Sequence, residues 1–499
     1  MNIRKILIIL FLFTISVLTI FNFARYKNYA DDEYIDYVDS NNLYTLKYSK
    51  NMHIDKSLKN IRTVIYDKNT KIEIYHDDFK NSINSPTAYI NYSNKFANNK
   101  NHIIELDKNL KINNIKVHLL KWRREKLSKL KNDKNYYVSA EFIKNENEVY
   151  TIIIKSSKPF EHPRDYMKII SSFKILDGSS HLKTFEALKN RNLNEETMLF
   201  YEKYFSENKE LKWGIFEKNA PKSLDFLNSL EKKLDYNFKF LVSYQSFSSK
   251  SFPMDEILNA YNDDRYVLLT LQTMYLDKQD NPSAMYDILN GKYDDFLNDY
   301  AKKIKKFNHP IMFRLNNEMN GDWCTYSSYY YSKDTDIFKE VYKYVYKIFE
   351  FNEVDNVLWV WNPHDVSFPD FKWNNCLNYY PGDEYVDIIG LTGYNAGTYY
   401  EGEKWRNFNE IYIPLYNEYI KNFNKPFMIT EFGCNSVGGD KVKWMDEMFR
   451  NIKYFKNIKV AIWWNGIDWD SNMNPARVYR LDENEDTINA FKEGLKKYR

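Results

Sequence analysis

Cysteine is nearly absent from this chain. Its 499 residues include three, Cys324, Cys376 and Cys434. That is too few for a disulfide framework, and their spacings are unlike those of zinc sites, so reduced structural thiols are expected. Histidine is sparse as well. The eight present form no HxH or HExxH pair, which leaves no metal site to be read and calls for no cofactor. Neither sign of charge dominates: 71 basic and 68 acidic residues are interspersed and leave a net charge of +3. A polyanion such as nucleic acid is therefore not an expected partner.

Aromatic residues, by contrast, are abundant at 17%, with 43 tyrosines. Aromatic faces can stack on sugars, although a bias in overall composition accounts for much of such an excess. One long apolar run stands at the amino terminus, where Arg4 and Lys5 precede an uncharged stretch from Ile6 to Ala24. It exceeds the h-region of about 7 to 15 residues of a signal peptide and reaches the roughly 17 to 25 that span a bilayer. Its only small-residue cleavage signal is the weak "NYA" at 28–30. Residues 1–30 are thus expected to be a signal anchor or a signal peptide. Either places the remainder outside the cytoplasm, at the extracellular face of the membrane or secreted.

A chain of this length calls for two folded units plus an appendage. From 31 to 180 the texture is one of short alternating strands, "LYTLKYS" (43–49), "KIEIYH" (71–76), "NYYVSAEFI" (135–143) and "EVYTIIIKS" (148–156), followed by the helical "HPRDYMKIISSF". This is a smaller α+β domain whose strand-and-helix pattern loosely resembles PsbP/Mog1-like domains. It shows no acid pair or nucleophile with a base, so a spacer or binding role is expected. A linker and helical approach occupy 181–210. Over 211–499, eight strongly apolar runs alternate with helical segments: "KWGIFEK", "FKFLVSYQ", "RYVLLTLQT", "PIMFRLNNE", "NVLWVWNP", "VDIIGLTGYN", "PFMITEFG" and "KVAIWWNG". Strands this apolar are buried on both faces, and eight β-α units over this length predict an α/β fold of the (β/α)8 TIM-barrel type.

Chemistry in such a barrel sits where the strands end. Glu318 ends the fourth run and Glu431 the seventh, both after a proline-led apolar stretch. Strands four and seven face each other across the mouth, so two carboxylates there could flank a glycosidic bond, one donating a proton and the other acting as nucleophile. Like charge at short range would push their proton affinities apart and so divide the roles. A structural ion pair at the rim is the competing reading of either acid alone. Two buried acids on facing strand ends, however, are costly unless paired or used. Arg314 lies four residues before Glu318, and strand alternation would turn both the same way, with its guanidinium able to hold Glu431 ionised.

The stretches "YDILNGKYDDFLNDYAKKIKKFNHPIMFRLNNEMNGDW" (286–323), "NVLWVWNPHD" (356–365), "YYPGDEYVDIIGLTGYN" (379–395) and "MITEFG" (428–433), in that order, resemble glycoside hydrolase family 26, whose best-known members are β-mannanases. The resemblance implies that Glu318 is the acid/base, that Glu431 is the nucleophile, and that Tyr394 donates a hydrogen bond to that nucleophile. It also implies that Trp463 or Trp464 floors the central sugar, that Trp323 stacks on a neighbouring one, and that Trp361 and His364 contribute to binding. One departure stands out. The family has histidine immediately before the acid, whereas this chain has Asn317, as in the wider clan, where that amide contacts the sugar 2-hydroxyl. The expected activity is retaining cleavage of internal β-glycosidic bonds in a polysaccharide, which could be β-mannan, β-glucan or an exopolysaccharide made by the same cell. A transglycosylase and a non-catalytic surface carbohydrate-binding protein are the alternatives.

Overall fold

Alternation along the eight apolar runs decides which side chains fill the barrel and which meet its helices. In the computed structural model, which describes residues 34–498 apart from 40–41, 81, 177–191, 207–208, 250 and 276–282, all eight runs are strands. They are β1 (Lys212–Phe216), β2 (Phe240–Ser246), β3 (Tyr266–Gln272), β4 (Ile311–Leu315), β5 (Val357–Trp361), β6 (Ile388–Thr392), β7 (Phe427–Phe432) and β8 (Ile458–Trp464). They form one closed parallel barrel in sequence order, with β1 pairing β8 through Trp213 and Ala461. Phe240, Val242, Leu268, Met312, Val360, Met428, Val460 and Ile462 pack together in the lumen. The residues between them, such as Phe313, Trp359, Trp361 and Trp463, turn outward into the large core shared with the helices. The outer helix after β4 spans Thr335–Phe351 and buries Phe338, Val341, Tyr342, Val345 and Ile348 on one face.

The approach to the barrel is also a working part of its core. A helix at Glu195–Tyr204, capped by Asn194 accepting from the Thr197 amide, sends Phe200, Tyr204 and the following Phe205 against Phe240 and Tyr266 at the starts of β2 and β3. These rings close the end of the barrel opposite the strand C-termini.

The region before the barrel contains a seven-stranded antiparallel sheet, in the order His53–Asp55, Arg62–Tyr66, Thr70–Asp78, Glu148–Ser156, Tyr136–Ile143, Ile115–Arg124 and His102–Ile112. One face, with Ile72, Ile74, Val138, Ala140, Phe142, Ile152 and Ile154, packs on the helix Arg164–Ile170 and a small sheet formed by Tyr34–Asp39, Tyr44–Ser49 and Lys174–Ile175. The strand period of two sends Glu73, Tyr75, Tyr137, Glu141, Ile153 and Lys155 to the other face. That face meets the barrel.

This domain, of which a spacer or binding role is expected, docks closely on the barrel. Tyr75, Phe79, Tyr89, Val149 and Ile153 share one apolar cluster with Tyr329, Phe371 and Trp373 of the barrel. Lys155 lies 2.6 Å from Asp334, Lys333 lies 3.1 Å from Glu141, and the Trp122 indole donates to Ser332 at 3.1 Å. The apolar run at the amino terminus lies outside the described residues; among the described residues no helix is long and apolar enough to cross a membrane.

Candidate active site

Arg314 organises the barrel mouth from within. Fully buried on β4, it points into the lumen, where its Nε donates to Thr270 on β3 at 2.8 Å and its Nη1 to Asn362, just past β5, at 2.6 Å. The same Asn362 oxygen accepts from Thr430 of β7 at 2.7 Å. Gly390 on β6 makes room for it, because a Cβ there would lie 2.6 Å from that of Asn362. Held from three strands, the guanidinium sits 2.6 Å from Glu431 Oε1. Tyr394 donates to the other carboxylate oxygen at 3.1 Å, and the Asn317 amide lies 3.5 Å from Oε1.

A local irregularity aims Glu431 inward. Leu391 pairs with Ile429 but Thr392 with Glu431, so β7 carries one extra residue at this point, and the register with β8 slips over the same stretch. Thr430 and Glu431 can therefore both turn toward the mouth while Phe432 returns to the outer core, the usual use of a bulge beside a site.

Glu318 is placed differently from the strand-end position expected of it. The strand stops at Leu315, and the chain then takes left-handed backbone at Asn316 (φ 58°) and at Glu318 itself (φ 54°). Such a conformation costs about 1 kcal/mol or more in a residue with a side chain. It is fixed by the Glu318 amide donating to Asn362 O at 2.8 Å and by Asn316 Oδ1 accepting from the Thr273 amide at 2.7 Å. Strand alternation from Arg314 thus does not extend to Glu318; the turn, and not the pleat, brings it to the mouth. Burial raises its pKa to about 7; His364 works against the rise, Glu431 adds to it, and the Trp323 indole, donating to Oε2 at 3.2 Å, works against it.

The remaining expected residues divide by which way they face. Trp464 lies at the mouth, stacked on Phe216 with centroids 5.1 Å apart and edge-on to Tyr394. Trp463 is a correction: it points outward, fully buried among Phe432, Trp444 and Phe491, with its indole N–H on Tyr479 O. Trp361 is corrected likewise, packing on Tyr380, Tyr419 and Phe423 behind the barrel wall. Exposed Trp323 meets His364 and Phe368 at ring distances of 5.2 and 5.3 Å, making an aromatic shelf beside Glu318.

Several contributors escaped the sequence reading. Gln272, the last residue of β3, donates to Asn317 Oδ1 at 2.9 Å and so turns the Asn317 NH2 toward Glu431. The Tyr326 hydroxyl holds the Asn317 carbonyl at 2.6 Å. Tyr244 of β2 lies beneath the Arg314 guanidinium, 5.5 Å from ring centroid to carbon. The position of Gln272 and Tyr244 near strand ends was the available signal; their residue types alone carried none.

Comparison with known proteins gives this arrangement a context. Residues 269–470 match the family model described as glycosyl hydrolase family 26. Endoglucanase H of Acetivibrio thermocellus is 31% identical over 196 residues, 38% of this chain and 21% of that protein. A mannan endo-1,4-β-mannosidase of Bacillus subtilis is 30% identical over 173 residues, 33% of this chain and 41% of that protein. The chain thus spans less than half the length of these two curated relatives. Among solved structures it is similar to the catalytic domain of a Bacillus sp. JAMB-750 family 26 endo-β-1,4-mannanase, with a TM-score of 0.46 and 15% identity over 64% of this chain and 93% of that one. A modular Cellulomonas fimi endo-β-1,4-mannanase gives 0.47 and 15% over 61% and 74%.

Proposed function

We propose that the chain is a retaining glycoside hydrolase that cuts internal β-glycosidic bonds of a polysaccharide, with Glu318 as acid/base and Glu431 as nucleophile. One observation carries this reading. Two carboxylates share the mouth in opposite electrostatic surroundings, Glu431 in an ion pair with a buried guanidinium and Glu318 able to keep its proton up to about pH 7. In the first step a Glu431 oxygen attacks the anomeric carbon, the bond to the leaving oxygen breaks, and that oxygen takes the Glu318 proton. In the second, Glu318 removes a proton from water as its oxygen attacks the same carbon, and the Glu431 carboxylate departs.

The names of the matched relatives, an endoglucanase and mannan endo-1,4-β-mannosidases, support a β-linked glucan or mannan as substrate. Asn317, with its NH2 turned toward Glu431, is suited to meet the 2-hydroxyl of the sugar in the central position. The apolar run of residues 6–24 supports placement outside the cytoplasm, tethered to the membrane or secreted, where an exopolysaccharide would be within reach. The seven antiparallel strands with flanking helices support a PsbP/Mog1-like accessory domain; a topological comparison that places its strand order elsewhere would retire that part of the reading.

The test is a screen of the full protein on mannan, β-1,3- and β-1,4-glucans, xylan and self-made matrix, followed by Glu431→Ala with azide. Hydrolysis by the parent, its loss in the variant and return as a glycosyl azide of inverted configuration are expected. Binding without any product would favour the carbohydrate-binding alternative, and longer oligosaccharide products a transglycosylase.

A further inference from the structure

The docked domain reaches to the edge of the cleft. Its helix Pro86–Ser93, started by Ser85 accepting from the Ala88 amide and by Pro86 in the first turn, ends with Tyr92 and Ser93 facing the barrel. Ser93 accepts from the Trp373 indole at 3.1 Å. The Tyr92 ring lies 5.2 Å from that of Tyr329 and 6.4 Å from that of Phe371, both barrel residues, and its hydroxyl donates to the Asp322 carboxylate. Asp322 is the residue before Trp323, and its carbonyl is held by the Tyr330 hydroxyl at 2.5 Å. The Trp323 indole in turn lies directly against Gly321, where any Cβ would come within 2.5 Å of it, and donates to Glu318.

We propose that Tyr92 is a positioning residue for the cleft: through Asp322 it fixes the Trp323 indole against Glu318 and completes the aromatic shelf with which Trp323 and Phe368 meet the polysaccharide. The domain before the barrel is then one wall of the substrate site and not an appendage to it. A phenol donating to a carboxylate is a charge-assisted bond, about twice as strong as a neutral one. It holds the residue immediately before the one that carries the exposed indole. Trp323 is 47% exposed, and its own contacts are with His364, Phe368, Gly321 and Glu318. Tyr330 and Tyr92 grip Asp322 from two sides, one from the barrel and one from the accessory domain.

This inference rests on the hydrolase reading, and its test separates the two. Tyr92→Phe keeps the ring packing and removes only the hydroxyl. We expect a cooperative melt with its midpoint lowered by at most a few degrees and a KM on polymeric substrate raised about threefold to tenfold, the effect of roughly one net hydrogen bond, with kcat within about twofold. The groups facing Glu318 are His364, Glu431, Arg314 and Trp323, together with Cys324, Tyr326 and Tyr394. Loosening the indole removes a donor that favours the ionised carboxylate, so the alkaline limb of kcat/KM moves to higher pH. Asp322→Ala reproduces both changes, whereas Asp322→Asn, which keeps an accepting oxygen, stays near the parent. In Trp323→Phe the Tyr92→Phe effect disappears. An active parent whose Tyr92→Phe variant keeps both KM and the limb, or whose effect adds in full to that of Trp323→Phe, overturns this inference alone. A parent that hydrolyses no polysaccharide overturns the hydrolase reading and this inference with it.

Discussion

The domain interface and the cleft both remove carboxylates from solvent but treat them in opposite ways. At the interface between the sheet domain and the barrel, burial alone would raise the pKa of Glu73. Lys155, Lys71 and Arg62, within 2.9 to 3.1 Å of its oxygens, instead hold it well below the ordinary range. Asp336 is held down in the same way, against its own burial, by Lys155, Lys339 and Lys71. At the cleft, Glu318 has an indole N–H on its carboxylate where Glu73 has cations, and burial takes it up to about 7. Burial by itself therefore does not set the charge of an acid here; the partners do. The interface uses its acids as fasteners, and the cleft keeps one acid protonated.

That contrast is broken most severely by removing one side of the interface. A chain beginning at residue 192 would leave Asp334, Lys333 and the apolar faces of Phe371 and Trp373 without their counterparts, and should not yield a folded, soluble barrel. A monodisperse product with a cooperative melt would show that the interface is dispensable. A single change acts more gently. Glu73→Gln leaves Lys155 and Arg62 short of a charge and should cost about 3 to 5 kcal/mol near neutral pH. Because the folded-state pKa of Glu73 is depressed, the stability it contributes is present above the ordinary carboxylate value and is lost as pH falls below it. The difference between parent and variant should therefore shrink in acid, which urea melts at pH 7 and pH 3.5 would measure. A gap that stays constant with pH would mean that Glu73 acts by shape and not by charge.

The opposite sign is expected at the cleft. Between about 4.5 and about 7 the folded protein keeps a proton on Glu318 that the unfolded chain releases, so stability falls as pH rises through that window. Glu318→Gln removes this loss and should be more stable than the parent above pH 7 by about 1 to 3 kcal/mol. The same variant should lose about 10² to 10⁴ in turnover on unactivated substrate. In the parent, kcat/KM should decline as pH rises past about 7. A Glu318→Gln protein less stable than the parent at pH 8 would make Glu318 a structural partner like Glu73.

Much of this architecture was legible from residue order. The eight apolar runs are the eight barrel strands, since a strand buried on both faces has no other composition to offer, and the two acids ending the fourth and seventh runs meet at one mouth. What escaped reading is what period alone does not encode. The WW pair was ambiguous because both members are large and apolar; the pleat sends Trp464 to the mouth and Trp463 to the helices. The slip in β7 and the left-handed turn at Glu318 depend on partners from other strands, Asn362 and Thr273, that no local pattern announces. The docking of the first domain was hidden for a similar reason. Glu141 and Lys155 look like ordinary charges on strands until their barrel counterparts Lys333 and Asp334, 192 and 179 residues away, come into place.

One interface acid sharpens the rule by not following the others. Asp77 lies at the docking surface, with one oxygen accepting from the Lys372 amide at 2.8 Å and the other buried without a hydrogen-bond partner. Burial raises its pKa to about 7, with the Lys372 amide and ammonium only partly offsetting the rise. It stands among fasteners but behaves like the cleft acid, because it lacks the cations that Glu73 has. Its ionisation should weaken docking as pH rises from the ordinary aspartate range toward 7, the reverse of the Glu73 effect. Asp77→Asn should abolish that slope and stabilise the protein at pH 8 by about 1 kcal/mol, a small gain because the carboxamide inherits the unpartnered position. Turnover should not change, since Asp77 touches no residue of the mouth. Melts at pH 5 and pH 8 measure the slope directly. If Asp77→Asn kept it, the rule that partners and not location decide the charge of a buried acid would fail at the place where it is easiest to isolate.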